Sequence, residues 1–167
     1  LNDLQRLEQE QAEHQAALAA LDRASETERA PNHPGIHQLR GRIYEKQGNA
    51  VAALSSYTRH ISLDPDPIRR AASYKQIGFI HFQAGGKAGY TQARDAFTRA
   101  NELNPNDSET VGMIAESHLQ LAERDEAFGT FEKYIAMVNG DIEKQIPSPD
   151  AVFTGMATAL DGSGKKR

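Results

Sequence analysis

A pair of apolar residues, one small and one large, recurs three times at the same spacing and constrains the fold more than any other feature. The pairs are Ala53 with Tyr57, Ala93 with Phe97, and Ala127 with Phe131. A spacing of four residues places both members on one face of an α-helix. The recurrence therefore predicts one helical unit repeated along the chain.

A second recurring signal precedes each pair, at the small residues Gly41, Gly78 and Ala115. A small residue in a first helix allows a second helix to approach closely. Three residues later the sequence has Tyr44, His81 and His118, and prolines close the first two units at Pro65 and Pro105. Each unit is thus predicted to be a helix, a turn and a returning helix.

This combination resembles the tetratricopeptide repeat, a helix–turn–helix of about 34 residues with the pattern W-x2-L-G-x2-Y, then A-x3-F, then P. The resemblance implies an all-α fold in which antiparallel helix–turn–helix repeats stack as a right-handed α–α superhelix. His37 and Arg40 depart from the pattern, since the family has a large aromatic residue and a leucine there. We expect the first helix of that repeat to be shifted or loosely packed.

The pattern divides the chain into six segments. They are an N-terminal helix at 1–30 that serves as a partial repeat or cap, repeats at 34–67, 68–106 (with insertions) and 107–140, a C-terminal capping helix at 148–161, and a disordered tail at 162–167.

Several local expectations accompany this division. Val51 should share the apolar face of the helix from Ala50 to Leu63. The glycines between 85 and 89 should form a turn, with the next helix beginning near Tyr90. Asn106 and Glu109 have the form of a capping box, and an irregular segment should follow Asn139 and Gly140.

Composition excludes several classes of function. The net charge of −4 arises from 23 acidic and 19 basic residues mixed along the chain, which argues against nucleic acid as a partner. No apolar run approaches the roughly 18 residues that span a bilayer, so we expect a soluble protein without membrane insertion. The absence of cysteine is compatible with both cytoplasm and periplasm. Because the sequence begins at Leu1 without a methionine, we expect it to be a fragment.

In the tetratricopeptide family the first helices line a concave groove that binds a peptide or helix of a partner protein. Counted from the small residue of each first helix, the groove positions are Gln38, Arg42, Glu45, Lys46, Lys75, Phe79, Phe82, Gln83, Gly112, Glu116 and Gln120. Family members that bind a chaperone's terminal carboxylate share lysines, an arginine and asparagines there. This groove lacks the asparagines, which argues against a carboxylate clamp.

Phe79 and Phe82 form an aromatic pair at groove positions, where such side chains serve as binding anchors. The alternative interpretation is that the lengthened helix rotates both rings into contact with neighbouring helices. We leave both interpretations open from sequence alone.

We expect no catalytic residues, no cofactor and no metal site. The serines and carboxylates are scattered without a nucleophile and base at a recognisable spacing. His33 and His37 have the spacing of helical metal ligands, but Pro34 and Gly35 lie between them. The glycine-rich loop at 85–89 lacks the strand and the residue order of a phosphate-binding loop.

The sequence therefore predicts a non-catalytic interaction module that acts as a scaffold or adaptor for a protein or peptide partner of unknown identity. Two alternatives remain open. The chain can be a scaffold that forms homo-oligomers, through leucines in its first 21 residues or through an uncapped end of the array. It can also be an accessory domain of a larger enzyme.

Overall fold

The computed structural model describes residues 3–26 and 32–145, and all the regular structure within them is α-helical. Extensive contacts join helices that are neighbours in the sequence, so the described part is an all-α helical repeat solenoid. The predicted helix at 148–161 and tail at 162–167 lie outside the described residues. The helices are α1 (Asp3–Glu26), α2 (Pro34–Lys46), α3 (Ala50–Leu63), α4 (Pro67–Ala84), α5 (Gly86–Leu103), α6 (Ser108–Gln120) and α7 (Arg124–Gln145).

Short polar caps separate the helices and set their boundaries. The side chain of Asn49 accepts a hydrogen bond from the backbone N–H of Ala52 at the start of α3, and Asp66 accepts one from Arg69 at the start of α4. Such caps satisfy amide groups that have no partner inside the helix. They fix where each helix begins after the chain has reversed, which produces the pairs α2–α3, α4–α5 and α6–α7.

The capping box predicted at Asn106 and Glu109 is wrong. Asp107, one residue later, caps α6 by accepting from both the backbone N–H and the hydroxyl of Thr110. Glu109 accepts a hydrogen bond from Lys75 of α4 instead of reaching back to the cap. A contact between helices therefore replaces the local bond that the sequence pattern predicts.

The glycine-rich turn is shorter than predicted, because α5 begins at Gly86 and not near Tyr90. Gly85 alone links α4 to α5, with φ of 69°, a conformation that favours glycine. Gly89 lies inside the first turns of α5, where an added Cβ would be 2.8 Å from the carbonyl oxygen of His81. This glycine serves the close crossing of two helices and not a flexible loop.

Two further expectations are corrected. The helix α7 continues through Asn139 and Gly140 to Gln145, where an irregular segment was predicted. One glycine costs a helix about 1 kcal/mol, which a long helix tolerates. Val51 is 80% exposed and so does not belong to the packed face of α3. It lies in the first turn of α3, where no neighbouring helix covers it.

The core consists of the predicted small and large residues, packed across each helix pair. Tyr57 is 1% exposed and its ring lies over Gly41, where an added Cβ would be 2.7 Å from a ring carbon. Phe97 is fully buried over Gly78 in the same way, with a corresponding distance of 2.5 Å. The helices of the first two pairs therefore approach so closely that only glycine fits beneath the aromatic ring.

This packing predicts opposite effects for the same substitution at two helical glycines. Gly78→Ala should destabilise the protein by about 1–3 kcal/mol, because the methyl group would overlap the buried ring of Phe97. Gly129→Ala in α7 should stabilise it by up to about 1 kcal/mol, since nothing lies within 4 Å and alanine favours helix. Urea denaturation of both variants measures the difference, and stabilisation by both would contradict the packing described.

Candidate functional site

The first helices α2, α4 and α6 carry the predicted groove positions, and a cavity of about 450 Å³ opens between α2 and α4. Its side chains are mainly polar, with amides on both helices. The lining residues are Gln38, Arg42, Glu45, Lys46, Tyr57, Ala72, Ser73, Gln76 and Gln83. Five of the eleven predicted groove residues are thus brought together here. We call this cavity the α2–α4 cleft.

The floor of the α2–α4 cleft is held by a hydrogen bond between two helices. The hydroxyl of Tyr57 donates to Oε2 of Glu45 over 2.7 Å. Burial and this hydrogen bond raise the pKa of Tyr57, so the phenol stays neutral and acts as a donor. The carboxylate of Glu45 is therefore fixed on the wall of the cleft, where its orientation is set by the core aromatic residue.

Arg42 and Lys46 supply positive charge on the α2 side of the cleft. Both side chains are exposed, and neither forms an ion pair with the side chains of residues 3–26 and 32–140. Unpaired cations beside hydrogen-bonding amides can bind an acidic or polar ligand without first breaking an internal contact.

Lys75, a predicted groove residue on α4, is already engaged by the next helix pair. Its Nζ donates to Asp107 over 2.8 Å and to Glu109 over 2.9 Å. Burial opposes the charge, but the hydrogen bonds to both carboxylates outweigh it and raise the pKa of Lys75. This side chain therefore fastens α4 to the start of α6.

The aromatic pair of α4 packs against α5 and α6. The ring of Phe79 meets Phe97 edge-on with centroids 5.2 Å apart, and Phe82 meets Tyr90 at the same distance. Both Phe79 and Phe82 are partly buried beside the cluster that contains Ile114. Each ring therefore has a packing role and retains some exposed surface.

The remaining predicted residues lie on α6. The ring of Tyr134 lies over Gly112, where an added Cβ would be 3.3 Å from it. Gln120 donates to the carboxylate of Glu116 over 2.8 Å along the helix surface. On α6, therefore, the predicted groove residues either bond to each other, as Gln120 does to Glu116, or lie against α7, as Gly112 does.

A second polar cluster, which the sequence did not reveal, lies buried between α3 and α4. His60 is fully buried, with Nδ1 2.8 Å from the hydroxyl of Ser73 and Nε2 3.0 Å from Asp64. The contact to Asp64 is close but poorly directed for a hydrogen bond. Arg69 donates to both oxygens of Asp64 over 2.8 and 2.9 Å.

This buried cluster has the residue types of a hydrolytic triad, but its placement excludes that role. Ser73 is 1% exposed, so its hydroxyl is not presented to a substrate. The four side chains instead connect the end of α3 to the beginning of α4. The cluster has no signature in the sequence, because His60 and Ser73 are 13 residues apart and share no motif.

No family model matches the sequence, and no curated protein matches it. Several solved structures do match this chain. A crystal structure of MamA has a TM-score of 0.63 at 22% identity, covering 86% of this chain and 79% of that one. A second MamA crystal structure has a TM-score of 0.64 at 22% identity, covering 80% and 68%.

A third solved structure is the first TPR of Spaghetti (RPAP3) bound to the HSP90 peptide SRMEEVD. It has a TM-score of 0.53 at 18% identity and covers 75% of this chain and 95% of that one. This chain has the tetratricopeptide-repeat fold. The fold predicted from the recurring small and large residues is confirmed.

In this tetratricopeptide solenoid, the cleft uses α4 positions that counting from Gly78 did not give. Ala72, Ser73 and Gln76 line the α2–α4 cleft, whereas the count gave Lys75, Phe79, Phe82 and Gln83 for that helix, of which Gln83 alone lines the cleft. The α4 positions that line the cleft are rotated relative to the counted positions by about one residue, or 100° around the helix. Each first helix has one edge that faces the preceding helix pair and another edge that faces the following pair. The positions counted from Gly78 lie mainly on the edge that faces the following pair.

Within the described residues, no helix is long and apolar enough to cross a membrane, and no group of three or more histidine or acidic side chains could hold a metal ion.

The buried cluster predicts an acid-sensitive stability. The guanidinium of Arg69 holds the pKa of Asp64 well below its usual range. A depressed pKa stabilises the fold above the unfolded value of about 3.9, and this contribution is lost as pH falls below it. Arg69→Met should therefore weaken the decline in stability below about pH 4, measured by urea denaturation across pH.

The matched control is Arg99→Met on α5, because Arg99 pairs with Glu102 on an exposed surface. This variant should retain the decline. Identical acid profiles for Arg69→Met and the original chain would show that the Asp64 pair does not contribute.

Proposed function

We propose that the protein is a non-catalytic scaffold or adaptor that binds an extended peptide or a helix of another protein in its concave groove. The observation that carries this proposal is the α2–α4 cleft, which combines about 450 Å³ of open space with polar side chains on two rigid helices. The solved tetratricopeptide structure with a bound peptide supports the same mode of use.

The chemistry of the cleft favours a partner segment with an exposed main chain and at least one acidic side chain. The amides of Gln38, Gln76 and Gln83 can each donate and accept, as peptide groups require. Arg42 and Lys46 provide charge for a carboxylate. The predicted residues beyond the cleft, from Phe79 to Gln120, would extend the contact along α4 and α6.

Charge reversal in the cleft should separate binding from stability. Peptides are first selected on the wild-type protein from a displayed random library. For the selected peptides, Arg42→Glu/Lys46→Glu should weaken binding at least about tenfold, because two attractive charges become repulsive. Isothermal titration measures the affinity, and circular dichroism checks that the variant remains folded.

The control is Arg99→Glu/Lys133→Glu, which changes the net charge equally at exposed positions of second helices. It should retain the affinity. If both double variants bind the selected peptides as tightly as wild type, the cleft is not the binding site.

Self-association is a second candidate function, favoured by the exposed first half of α1. Leu4 is 63% exposed and Leu7 is 53% exposed, three residues apart on one helix face. Such leucines on a long helix can pack against the same face of another copy. In this case the protein would serve as a homo-oligomeric scaffold.

Light scattering across a concentration series tests this second candidate. The wild-type mass should rise towards that of a dimer, while Leu4→Glu/Leu7→Glu should remain a monomer. The control Ala16→Glu/Ala20→Glu adds the same charge at exposed positions of α1 and should still associate. A wild-type mass that stays monomeric at all concentrations would rule out the candidate.

A further inference from the structure

A second cavity, of about 460 Å³, opens where α1, α2 and α3 meet. All three helices contribute charged or polar side chains to its wall. These include Asp22 of α1, His37 and Arg40 of α2, and Ser55 and Arg59 of α3. We call this cavity the α1–α3 pocket.

The α1–α3 pocket lies on a different side of α2 from the α2–α4 cleft. Its residues on α2 are His37, Arg40 and Tyr44, which lie within about 60° of one another around the helix. The cleft residues of α2 lie roughly 140° away from them. The two cavities have no lining residue in common, so a ligand in one leaves the other open.

Positive charge in the α1–α3 pocket exceeds negative charge. Asp22 is paired with Arg40, with Oδ1 2.6 Å from Nη2. Arg59 donates over 3.1 Å to the neutral amide of Asn32, and it forms no ion pair with the side chains of residues 3–26 and 32–140. One guanidinium charge is therefore left without a counter-charge.

Arg40 also keeps unused hydrogen-bond donors. Its Nη2 donates to Asp22 and, over 3.2 Å, to the hydroxyl of Ser25. A guanidinium has five N–H donors, and Nε and Nη1 of Arg40 have no hydrogen-bond partner among the described residues. The ion pair with Asp22 thus orients this side chain without occupying all of its donors.

The ring of His37 lies in the positive field of both arginines. Burial lowers the pKa of His37, and the charges of Arg40 and Arg59 lower it further, with a smaller effect from His60. The imidazole is therefore neutral at neutral pH and offers one N–H as a donor. An anion beside it would offset the repulsion that the two arginines exert.

The donors of the α1–α3 pocket match a phosphate group better than a carboxylate. A phosphate monoester has three terminal oxygens and a charge of about −1.5 to −2 at neutral pH. Two guanidiniums supply forked pairs of donors for such a group, and the imidazole N–H of His37 and the hydroxyl of Ser55 add single donors. A carboxylate has only two oxygens, and Asp22 already supplies one carboxylate to Arg40.

We propose that the α1–α3 pocket binds the phosphate group of a phosphate monoester between Arg40 of α2 and Arg59 of α3. This site is separate from the α2–α4 cleft. The protein can therefore hold a phosphorylated ligand and a partner segment at the same time, and either site can be tested without the other.

Titration of the full chain with inorganic phosphate tests the site. In two-dimensional ¹H–¹⁵N NMR spectra at neutral pH, the backbone amide signals of His37, Arg40, Ser55 and Arg59 should shift and saturate in the millimolar range. Sodium chloride at the same ionic strength should not produce these shifts. The absence of saturable shifts, or shifts confined to residues of the α2–α4 cleft, would overturn the proposal.

Variants of the pocket test which side chains hold the phosphate. Arg59→Gln removes the guanidinium that has no counter-charge and should weaken phosphate binding about five- to tenfold. Ser55→Ala, at another exposed lining position, should weaken it as well. The control Arg99→Gln removes an exposed arginine of α5 and should retain the affinity. Unchanged affinity in both pocket variants would contradict the assignment.

Two esters distinguish the sources of the phosphate group. A short peptide that contains phosphoserine and the sugar phosphate glucose 6-phosphate are each titrated in the same way. Tighter binding of the peptide supports a phosphorylated segment of a protein as the ligand, and tighter binding of the sugar phosphate supports a small phosphate ester. If inorganic phosphate binds and neither ester does, the pocket does not accept a monoester and the proposal is wrong.

Discussion

The contact between a glycine in a first helix and an aromatic ring in a second helix determines the geometry of this molecule. Gly41 under Tyr57 and Gly78 under Phe97 bring the paired helices closer than any side chain would allow. The aromatic ring then projects beyond its own pair, where Ile80 or Ile114 of the next pair covers it. Close packing within a pair and stacking between pairs are thus consequences of one contact.

The first and second junctions between helix pairs use different chemistry outside this apolar contact. Between α3 and α4, the buried side chains of His60, Ser73 and Asp64 join the helices, with Arg69 at the rim. Between α4 and α6, Lys75 bonds two carboxylates near the surface. Buried polar groups require specific partners, so the first junction is fixed in one arrangement.

These junctions also explain which of the predicted groove positions are already engaged by neighbouring helices. Lys75 and the rings of Phe79 and Phe82 hold α4 to α5 and α6, so they have internal partners. On the other edge of α4 the amides face α2 across the cleft, where Arg42 and Lys46 have no ion-pair partners within the described part of the chain. The contacts that hold α4 to α5 and α6 and the side chains that line the cleft therefore lie on different edges of the same helix.

The sequence by itself determined the helical repeat, because the spacing of small and large residues follows directly from helix periodicity. It also determined most helix boundaries, since the caps at Asn49 and Asp66 are local. The tertiary structure decided which face of α4 meets the cleft, why Gly89 lies inside a helix, and that Asp107 and not Asn106 caps α6. Each of these depends on a neighbour in another helix: α2 for the cleft, His81 for Gly89 and Lys75 for the start of α6. A single helix period specifies which residues share a face, but only packing decides what that face meets.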